Sequence, residues 1–249
     1  MLETILSWYQ DPMFIKFPIY TLAISLGAFL LLAFPWTLLA WFDPEWARPY
    51  KTQDKPFHVQ TYLLTNLWLM TKNATIVLLI FVLAWPLVRL TGIHDGPAPP
   101  WYVFVWQITL FFFLDDFLYY WMHRGMHVNK WLLKNVHSVH HTVRNPSAIA
   151  GNYFHWIELL FTAILVLVGP VLLSSHIYVV YVWIFLRQWQ AVDGHTGYRF
   201  AWNPYAWLPF YHGAKFHDLH HETYKGNYAG FFPIWDKVFG TESRPGANI

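Results

Sequence analysis

The sequence predicts an all-α protein, an integral-membrane bundle of helices, and three observations lead to this prediction. Hydrophobic residues make up 56% of the 249 residues and charged residues only 12%, whereas about a quarter of a typical soluble domain is charged. Apolar stretches recur along the chain, with transmembrane helices expected over 17–122. Twelve of the fourteen histidines lie between residues 123 and 221. We expect residues 1–249 to form a single membrane-embedded domain.

Three apolar stretches predict membrane-spanning helices. The first, Phe17 to Trp41, is long enough to cross a hydrocarbon core of about 30 Å, and Pro35 is expected to kink it. The second runs from about Asn73 to Leu90 and the third from Trp101 to Met122. A turn-rich segment of ten residues, 91–100, joins these two, so we expect an antiparallel pair.

The fourth apolar stretch, Ile157 to Phe185, is longer than one span needs and shorter than two full spans. It contains Gly169-Pro170 near its middle, which suits a hairpin of two short helices. Histidine clusters precede and follow this stretch, so a single crossing would place them on opposite membrane faces. A hairpin returns the chain to one face and is therefore required if the clusters form one site.

Charge gives the expected orientation. The formal net charge is only +2, and no basic stripe of the kind that binds nucleic acid is present. Lys and Arg flank the histidines and are absent from the 91–100 loop, so the positive-inside tendency places the histidine region on the cytoplasmic face. The flanking basic residues are Arg124, Lys130, Lys134, Arg144, Arg187, Arg199, Lys215 and Lys225. The membrane would be the endoplasmic reticulum in a eukaryote and the inner or plasma membrane in a bacterium.

Eight histidines fall into three clusters, of the patterns HxxxH, HxxHH and HxxHH. They are His123 and His127, then His137, His140 and His141, then His217, His220 and His221. Residues three or four positions apart share one face of a helix, so we expect each cluster to present its imidazoles in one direction. The clusters would cap the helical bundle on one side.

A buried imidazole needs a hydrogen bond or a metal, because leaving it unpaired beside a membrane costs free energy on the kcal/mol scale. One tetrahedral zinc uses about four ligands, whereas eight or more histidines suit two metal ions. Imidazole alone does not select the metal, since zinc, copper, iron and nickel all accept it. The pattern therefore predicts a di-metal centre, with a non-catalytic zinc or copper site as the alternative.

The clusters and the segments around them resemble the fatty acid hydroxylase and sterol desaturase superfamily over roughly 115–241. The sterol C4-methyl oxidase branch is the most similar. The segments that carry this likeness are Asp193-Gly-His195-Thr-Gly-Tyr198, Pro209-Phe-Tyr, Gly226-Asn227-Tyr228 and Trp235-Asp236-Lys-Val-Phe-Gly240-Thr241. The amino-terminal half resembles the family only as generic transmembrane helices.

The resemblance implies a membrane enzyme that hydroxylates a lipid C–H bond with O2 and two electrons. Two iron ions would be the cofactor, with zinc possible in isolated protein, and His195 would join the eight cluster histidines as a ligand. The resemblance implies no catalytic residue outside the metal ligands. Because no Gly-rich dinucleotide fingerprint is visible, NAD(P)H would act only indirectly, through a reductase and a cytochrome b5-like protein or ferredoxin.

Other residues are candidates for supporting roles. Asp116 lies seven residues before His123, on nearly the same helix face, and could orient a ligand imidazole. His155 stands where the branch has a His-Pro pair followed by an acid, and Trp156 replaces the proline. Asn227 could be a weak or water-bridged ligand, or simply form a turn with Gly226. The aromatic residues expected to line a lipid pocket are Tyr119, Trp121, Tyr153 and Trp156, whereas His212 is expected to be interfacial or pocket-lining.

Two other functions remain open from the sequence. A hydroxylase of fatty acyl or other lipids, or a desaturase, would use the same initial hydrogen abstraction, and the motifs do not separate these from a sterol oxidase. A membrane metal transporter or metal-binding protein is the non-enzymatic alternative. A transporter would place ionisable groups within the spans, whereas here the histidines cluster beyond the helix ends.

Overall fold

The chain is helical throughout the part that the structure describes. This computed structural model describes residues 2–203, 207, 210–211 and 213–243, so His212 lies outside the described residues. The α-helices in these ranges are α1 (Leu2–Trp8), α2 (Pro12–Phe14), α3 (Tyr20–Phe42), α4 (Val59–Val88), α5 (Trp101–Val128), α6 (Lys130–Leu132), α7 (Trp156–Leu172), α8 (Ile177–Gly194), α9 (Gly213–Thr223) and α10 (Ile234–Val238). The same ranges contain no β-sheet, only two isolated bridges. The prediction of an all-α fold is confirmed.

Three helices are long and apolar enough to cross a membrane, over Pro12–Phe42, Val59–Thr91 and Trp101–Val128. The first joins α2 and α3 through a π-helical turn at Ile15–Ile19. The second begins at Val59, well before the predicted Asn73. Hydropathy marks only the apolar part of such a helix, whereas the backbone stays helical through the more polar part, which packs on protein.

Two buried asparagines explain why the early half of α4 is polar. The Nδ2 atom of Asn66 donates a hydrogen bond to the carbonyl of Ile149, and that of Asn73 donates to the carbonyl of Phe154 at 2.8 Å. Backbone carbonyls in a buried connection need such donors. The asparagines therefore fix the segment before α7 against α4, beneath the histidine clusters.

The fourth apolar stretch forms the predicted hairpin of two helices, α7 and α8. The turn lies at Leu173–His176 rather than at Gly169-Pro170, which belong to the last turn of α7. Gly169 is instead a site of close helix packing, because a Cβ there would overlap the ring of Phe111 on α5. The His176 side chain then caps α8 by accepting a hydrogen bond from the Tyr178 amide at 3.2 Å.

Packing of this hairpin sets the position of the later histidines. α8 packs chiefly against α3, and α7 packs against α5. Between them, Phe111, Val179, Trp183 and Phe231 form one of the buried hydrophobic clusters. The carboxyl end of α8 reaches α9, so the hairpin brings His195 to the same end of the bundle as the clusters on α5 and α9.

The outer faces of the long helices are apolar and uncovered. Leu31, Leu64, Leu83 and Leu87 are all more than 70% exposed. Many large apolar side chains exposed on helices long enough to span a membrane suit a lipid environment, and helices satisfy their backbone hydrogen bonds internally, as the hydrocarbon core requires. The chain is a membrane protein.

Candidate metal centre

Three helices and two tight turns present the predicted histidines. His123 and His127 lie in the last turns of α5. The Asn129 side chain caps the following helix α6 by accepting hydrogen bonds from the amides of Trp131 and Leu132, which turns the chain back towards α5. A π-helical turn then ends at His137, and a 3-10 turn carries His140 and His141. His195 follows the last residue of α8, and α9 carries the third cluster.

The structure brings all nine predicted histidines together, in two groups whose side-chain nitrogens converge. The five-histidine group consists of His123, His127, His137, His141 and His220, and the four-histidine group of His140, His195, His217 and His221. Within each group the facing nitrogens lie within 4.8 Å of one another. All nine are buried except His127, which is partly exposed.

The clusters do not each serve one group, and the expectation that an HxxHH cluster points three imidazoles one way is wrong. Residues four apart stay together: His137 and His141 in one group, His217 and His221 in the other. The third member of each cluster, His140 or His220, belongs to the opposite group. The second cluster lies on a π turn followed by a 3-10 turn, but the third lies on the regular helix α9 and divides in the same way. Adjacent residues of a helix point about 100° apart, so the two neighbouring histidines of each HxxHH cluster face different groups.

Separations within the groups suit a shared ion. In the five-histidine group, Nε2 of His141 lies 2.9 Å from that of His137, 3.1 Å from that of His220 and 3.2 Å from that of His127. In the four-histidine group, Nε2 of His195 lies 3.1 to 3.3 Å from the Nε2 atoms of its three neighbours. Nitrogens bound about 2.1 Å from one ion are about 3.0 Å apart at a right angle and about 3.4 Å apart in a tetrahedron.

Backbone carbonyls fix which nitrogen faces inward. A carbonyl oxygen can only accept a hydrogen bond, so an Nδ1 atom bonded to one must carry the proton, leaving Nε2 with its lone pair. The four such pairs are His123 with Tyr228 (2.8 Å), His195 with Ala191 (2.7 Å), His220 with Gly226 (2.7 Å) and His221 with Val143 (3.1 Å). Unprotonated Nε2 atoms about 3 Å apart repel one another, and a cation between them removes the repulsion. The donor set therefore fits a metal ion in each group.

Burial keeps these imidazoles neutral. It lowers the pKa of His195 from 6.5 to about 4. Burial, followed by the proximity of neighbouring histidines, also lowers the pKa values of His137, His140, His141, His217, His220 and His221 below 6.5. Only neutral imidazole can bind a metal, so at neutral pH the site is already in its binding form.

One carboxylate contacts a clustered histidine among the described residues, and the sequence analysis did not assign it. Oε1 of Glu158 accepts a hydrogen bond from Nδ1 of His137 at 2.7 Å, and both side chains are buried. Glu158 lies in the first turn of α7, three residues after His155. The sequence does carry a signal for Glu158, because it is the acid that follows the family's His-Pro position. Its spacing of 21 residues from His137, however, gives no reason to pair these two residues.

The three candidates for supporting roles lie elsewhere. Asp116 accepts hydrogen bonds from the amides of Gly230, Phe231 and Phe232 at 2.6 to 3.0 Å, so the prediction that it orients an imidazole is wrong. Seven residues of helix place it about 10 Å from His123 along the axis. His155 caps α7 by accepting a hydrogen bond from the Ile157 amide at 3.3 Å, and is not bonded to a clustered histidine.

Asn227 has the role of a turn residue rather than that of a metal ligand. Its φ of 55° is left-handed, a conformation that Asn tolerates better than most residues. Its Nδ2 donates to the Phe216 carbonyl at 3.1 Å, and its Oδ1 accepts from the Ser243 amide at 2.8 Å. Both polar ends are thus committed to backbone groups, and of the two roles left open by the sequence the turn is the one observed.

An apolar cavity leads from the middle of the bundle to the four-histidine group. Leu22, Val77, Phe81, Val166, Leu167 and Ile184 line its apolar part, and His195 and His217 stand at one end together with Tyr119, Arg187 and Gln190. Arg187 is therefore a buried residue on α8, and the expectation that it belongs to the basic residues flanking the histidines on the membrane surface is wrong.

Only Tyr119 of the four predicted pocket aromatics is among the residues that line this cavity. Trp121 is 44% exposed and packs on Phe239 outside the bundle. Tyr153 is buried against Tyr62. Trp156 lies beside His155 at the start of α7. An aromatic residue close in sequence to the histidines can face any direction around a helix, so proximity alone did not identify the lining residues.

Comparison with known proteins identifies the family. The family model described as fatty acid hydroxylase matches residues 108–241, more than half of the chain. The chain belongs to the fatty acid hydroxylase family, and the resemblance seen in the histidine motifs is confirmed. No solved structure matches the chain significantly.

Curated relatives include proteins with two kinds of name. A very-long-chain aldehyde decarbonylase of Oryza sativa subsp. indica is 41% identical over 167 residues, which cover 66% of this chain and 62% of the relative. Methylsterol monooxygenase 2-2 of Arabidopsis thaliana is 40% identical, covering 64% of this chain and 61% of the relative. Methylsterol monooxygenase 1-3 of the same plant is 33% identical, covering 89% and 75%. The chain thus spans about three fifths of the decarbonylase's length.

Proposed function

We propose that this chain is a non-haem di-iron enzyme that uses O2 and two electrons to hydroxylate a lipid C–H bond, acting as a sterol C4-methyl oxidase. One observation carries the proposal: nine histidines converge through their Nε2 atoms as a group of five and a group of four, beside a largely apolar cavity. The names of the methylsterol monooxygenase relatives support the choice of substrate.

Two iron ions held by these groups would supply the activation of O2. Iron is favoured over the other metals that imidazole accepts by the chemistry proposed here, and zinc is expected to compete in isolated protein because it binds nitrogen ligands more tightly than Fe(II) does. The chain's own part is to hold neutral imidazoles with their Nε2 lone pairs facing inward. Its buried surroundings exclude water from the reacting groups.

The cavity supports reaction at the four-histidine group. His195 and His217 line it, whereas no member of the five-histidine group is among its lining residues. A lipid entering between the helices would place its apolar body against Leu22, Phe81 and Ile184. The carbon to be oxidised would then meet the four-histidine group.

Electrons must come from another protein, since the sequence has no dinucleotide-binding fingerprint. We propose a cytochrome b5-like protein or a ferredoxin, itself reduced by an NAD(P)H-dependent reductase. Lys130, Lys134 and Lys215 are exposed beside the histidine clusters, and their charge suits an acidic partner. This arrangement requires a multi-pass protein with its histidine face in the cytoplasm, in the endoplasmic reticulum of a eukaryote or the plasma membrane of a bacterium.

The test combines metal analysis with product analysis. Protein purified from iron-replete cells should contain close to two metal ions per chain, and at most one would contradict the di-metal proposal. Membranes containing the protein, a donor and a reductase should convert 4-methyl sterols to oxygenated products detectable by mass spectrometry, whereas the isolated chain with NAD(P)H alone should not. Parallel incubations with acyl lipids and long-chain aldehydes decide between substrates: product from these with untouched sterol would overturn the sterol assignment.

A further inference from the structure

The inner end of the cavity carries a polar site that metal binding does not use. Arg187 projects from α8 and is only 7% exposed. Its Nε donates to Oδ2 of Asp115 at 2.9 Å, and its Nη1 donates to Oε1 of Gln190. Gln190 is held in turn by the carbonyl of Gly230 at 2.5 Å. The guanidinium is therefore fixed in one orientation by partners on two helices and a loop.

Aromatic rings complete the support of this guanidinium. It lies 5.1 Å from the centre of the Tyr119 ring and 5.3 Å from that of Phe231. Asp115 and Arg187 together are formally neutral, so the desolvated cation has its counter-ion. A buried cation needs such a counter-ion, but the pairing does not explain why Arg187 also lines a largely apolar cavity.

Arg187 has hydrogen-bond donors left over. A guanidinium has five N–H donors, and the bonds to Asp115 and Gln190 use two of them. Within the described residues the Tyr119 hydroxyl has no hydrogen-bond partner, and Tyr119 and Arg187 both line the cavity. The Tyr119 ring also lies 5.3 Å from the ring of His123. A polar subsite thus stands at the metal end of a cavity whose remaining surface is largely apolar.

We propose that Arg187 and Tyr119 bind an uncharged oxygen substituent of the lipid, a hydroxyl or carbonyl, and so place the neighbouring carbon at the four-histidine group. The inference rests on the proposed function for the identity of the lipid as substrate. The guanidinium donates to the oxygen and the tyrosine hydroxyl donates or accepts. Because Asp115 already neutralises Arg187, a neutral oxygen fits this subsite better than a carboxylate, which would approach that acid.

Recognition of an oxygen by hydrogen bonds predicts which lipids this subsite accepts and which it rejects. A site built to hydrogen-bond a substrate oxygen rejects the analogue that lacks it, because its own polar groups are then left unpaired in an apolar cavity. Among sterols the relevant oxygen is the 3-hydroxyl, which lies next to C4, and among acyl lipids it is an oxygen at the chain end. Sterols and acyl lipids thus offer the same kind of oxygen to the subsite and differ in the shape of the hydrocarbon attached to it.

Binding to zinc-loaded protein tests the subsite without turnover. The probes are a 4-methyl sterol and its 3-deoxy counterpart, and a long-chain 1-alcohol and the matching alkane. We expect wild-type protein to prefer the oxygen-bearing member of at least one pair by about tenfold, the contribution of one well-placed hydrogen bond. A preference only for the 3-hydroxy sterol or only for the alcohol supports the subsite and identifies the lipid class.

Tyr119→Phe removes only the hydroxyl, and Arg187→Lys keeps the charge but not the fork of donors. Both should reduce the preference to less than about threefold while affinity for the oxygen-free member and the metal content stay unchanged. Tyr181→Phe is the matched control, because the Tyr181 hydroxyl donates to the Lys16 carbonyl at 2.5 Å, away from the cavity, and should keep the wild-type preference.

Equal affinity of wild-type protein for both members of both pairs would overturn the subsite, and so would a preference that persists in Tyr119→Phe. The result is separable from the proposed function, since no oxygen or electrons are needed. A wild-type preference that Tyr119→Phe abolishes, in a protein that oxidises no lipid when iron and donor are supplied, would retain the subsite and overturn the oxygenase.

Discussion

The five-histidine group and the four-histidine group use the same ligand type in different surroundings. The five-histidine group has a carboxylate against it, Glu158, and the Tyr224 ring packs 4.5 Å from the ring of His141. The four-histidine group has no such carboxylate among the described residues, and two of its members line the cavity. On the proposed function, the five-histidine group would mainly hold its ion, and the four-histidine group would expose its ion to the substrate.

The number of imidazoles in each group supports the same difference in role. An ion with five imidazoles has few positions left, whereas an ion with four imidazoles and a higher preferred coordination number keeps one or two positions open. A catalytic metal site needs an open position. The side of the four-histidine group that faces the cavity is therefore where an exchangeable ligand has room.

Loss of a central ligand from either group should have the largest effect. His141→Ala removes the imidazole closest to three members of its group, and His195→Ala does the same in the other. Each variant should retain about one metal ion per chain and lose oxidation of lipid by more than about 100-fold, beyond the effect of losing an outer hydrogen-bond partner. Metal is measured by mass spectrometry and turnover by product formation.

His94→Ala is the control for these variants, because His94 is exposed and its ring nitrogen lies 3.3 Å from the carbonyl of Gly92, far from the clusters in sequence. It should keep two ions and full activity. If His141→Ala and His195→Ala both retained two ions, the division into two metal-binding groups would have to be abandoned.

Glu158→Gln should separate the two groups by affinity. The Glu158 side chain would strengthen His137 as a metal ligand by accepting a hydrogen bond from its Nδ1 atom, and an outer partner of this kind changes metal affinity by about 10- to 100-fold. We expect a chelator titration to remove one ion from the variant about 10- to 100-fold more readily than from wild type, with the second ion unaffected.

Glu222→Gln is the matched control, since Glu222 is adjacent to His221 in sequence but pairs with Lys55 at 2.7 Å on the surface. Its chelator titration should overlay that of wild type. Equal weakening of both ions in Glu158→Gln would show that the carboxylate does not distinguish the groups.

Both groups consist of buried, neutral imidazoles. The stability of the metal-free protein should therefore depend on pH. Unfolded histidines take up protons near pH 6.5, whereas folded His195 does so only near pH 4. Between these values the unfolded chain binds more protons, so stability is lost as pH falls, by up to about 1.4 kcal/mol per pH unit for each such histidine. The melting temperature of chelator-stripped protein in detergent should fall steadily from pH 7 to pH 5. A flat profile would indicate that the imidazoles are hydrated in the metal-free state.

The sequence predicted the elements whose signals are local. Hydropathy located the three long helices, and the need to bring the clusters to one membrane face predicted the α7–α8 hairpin. The nine histidines were found from spacing and family likeness, and the structure brings them together; that they ligate metal remains a prediction. Their division was not foreseen, because the adjacent histidines of an HxxHH cluster point about 100° apart even on a regular helix such as α9, and only the tertiary fold decides which group each one joins.

Three of the misses share one physical cause, which is that contacts between distant segments leave no trace in residue spacing. Asp116 was expected on nearly the same face of α5 as His123, but its carboxylate accepts hydrogen bonds from three amides more than a hundred positions away. Arg187 was read as a surface charge because its partner, Asp115, is 72 residues distant. The pairing of Glu158 with His137 was missed because the two residues are 21 positions apart.

The smallest effect is expected for His155→Ala, which tests whether His155 or Glu158 supports the metal centre. His155→Ala removes a cap from the amino terminus of α7, since its Nδ1 accepts a hydrogen bond from the Ile157 amide; loss of a cap of this kind costs about 1 kcal/mol. The variant should melt a few degrees lower yet keep two metal ions and a wild-type chelator titration. Glu158, one turn further along the same helix, should show the reverse pattern, with altered metal retention. If His155→Ala released an ion as readily as Glu158→Gln, the start of α7 would support the centre as a unit, and the assignment of that support to a single carboxylate would be wrong.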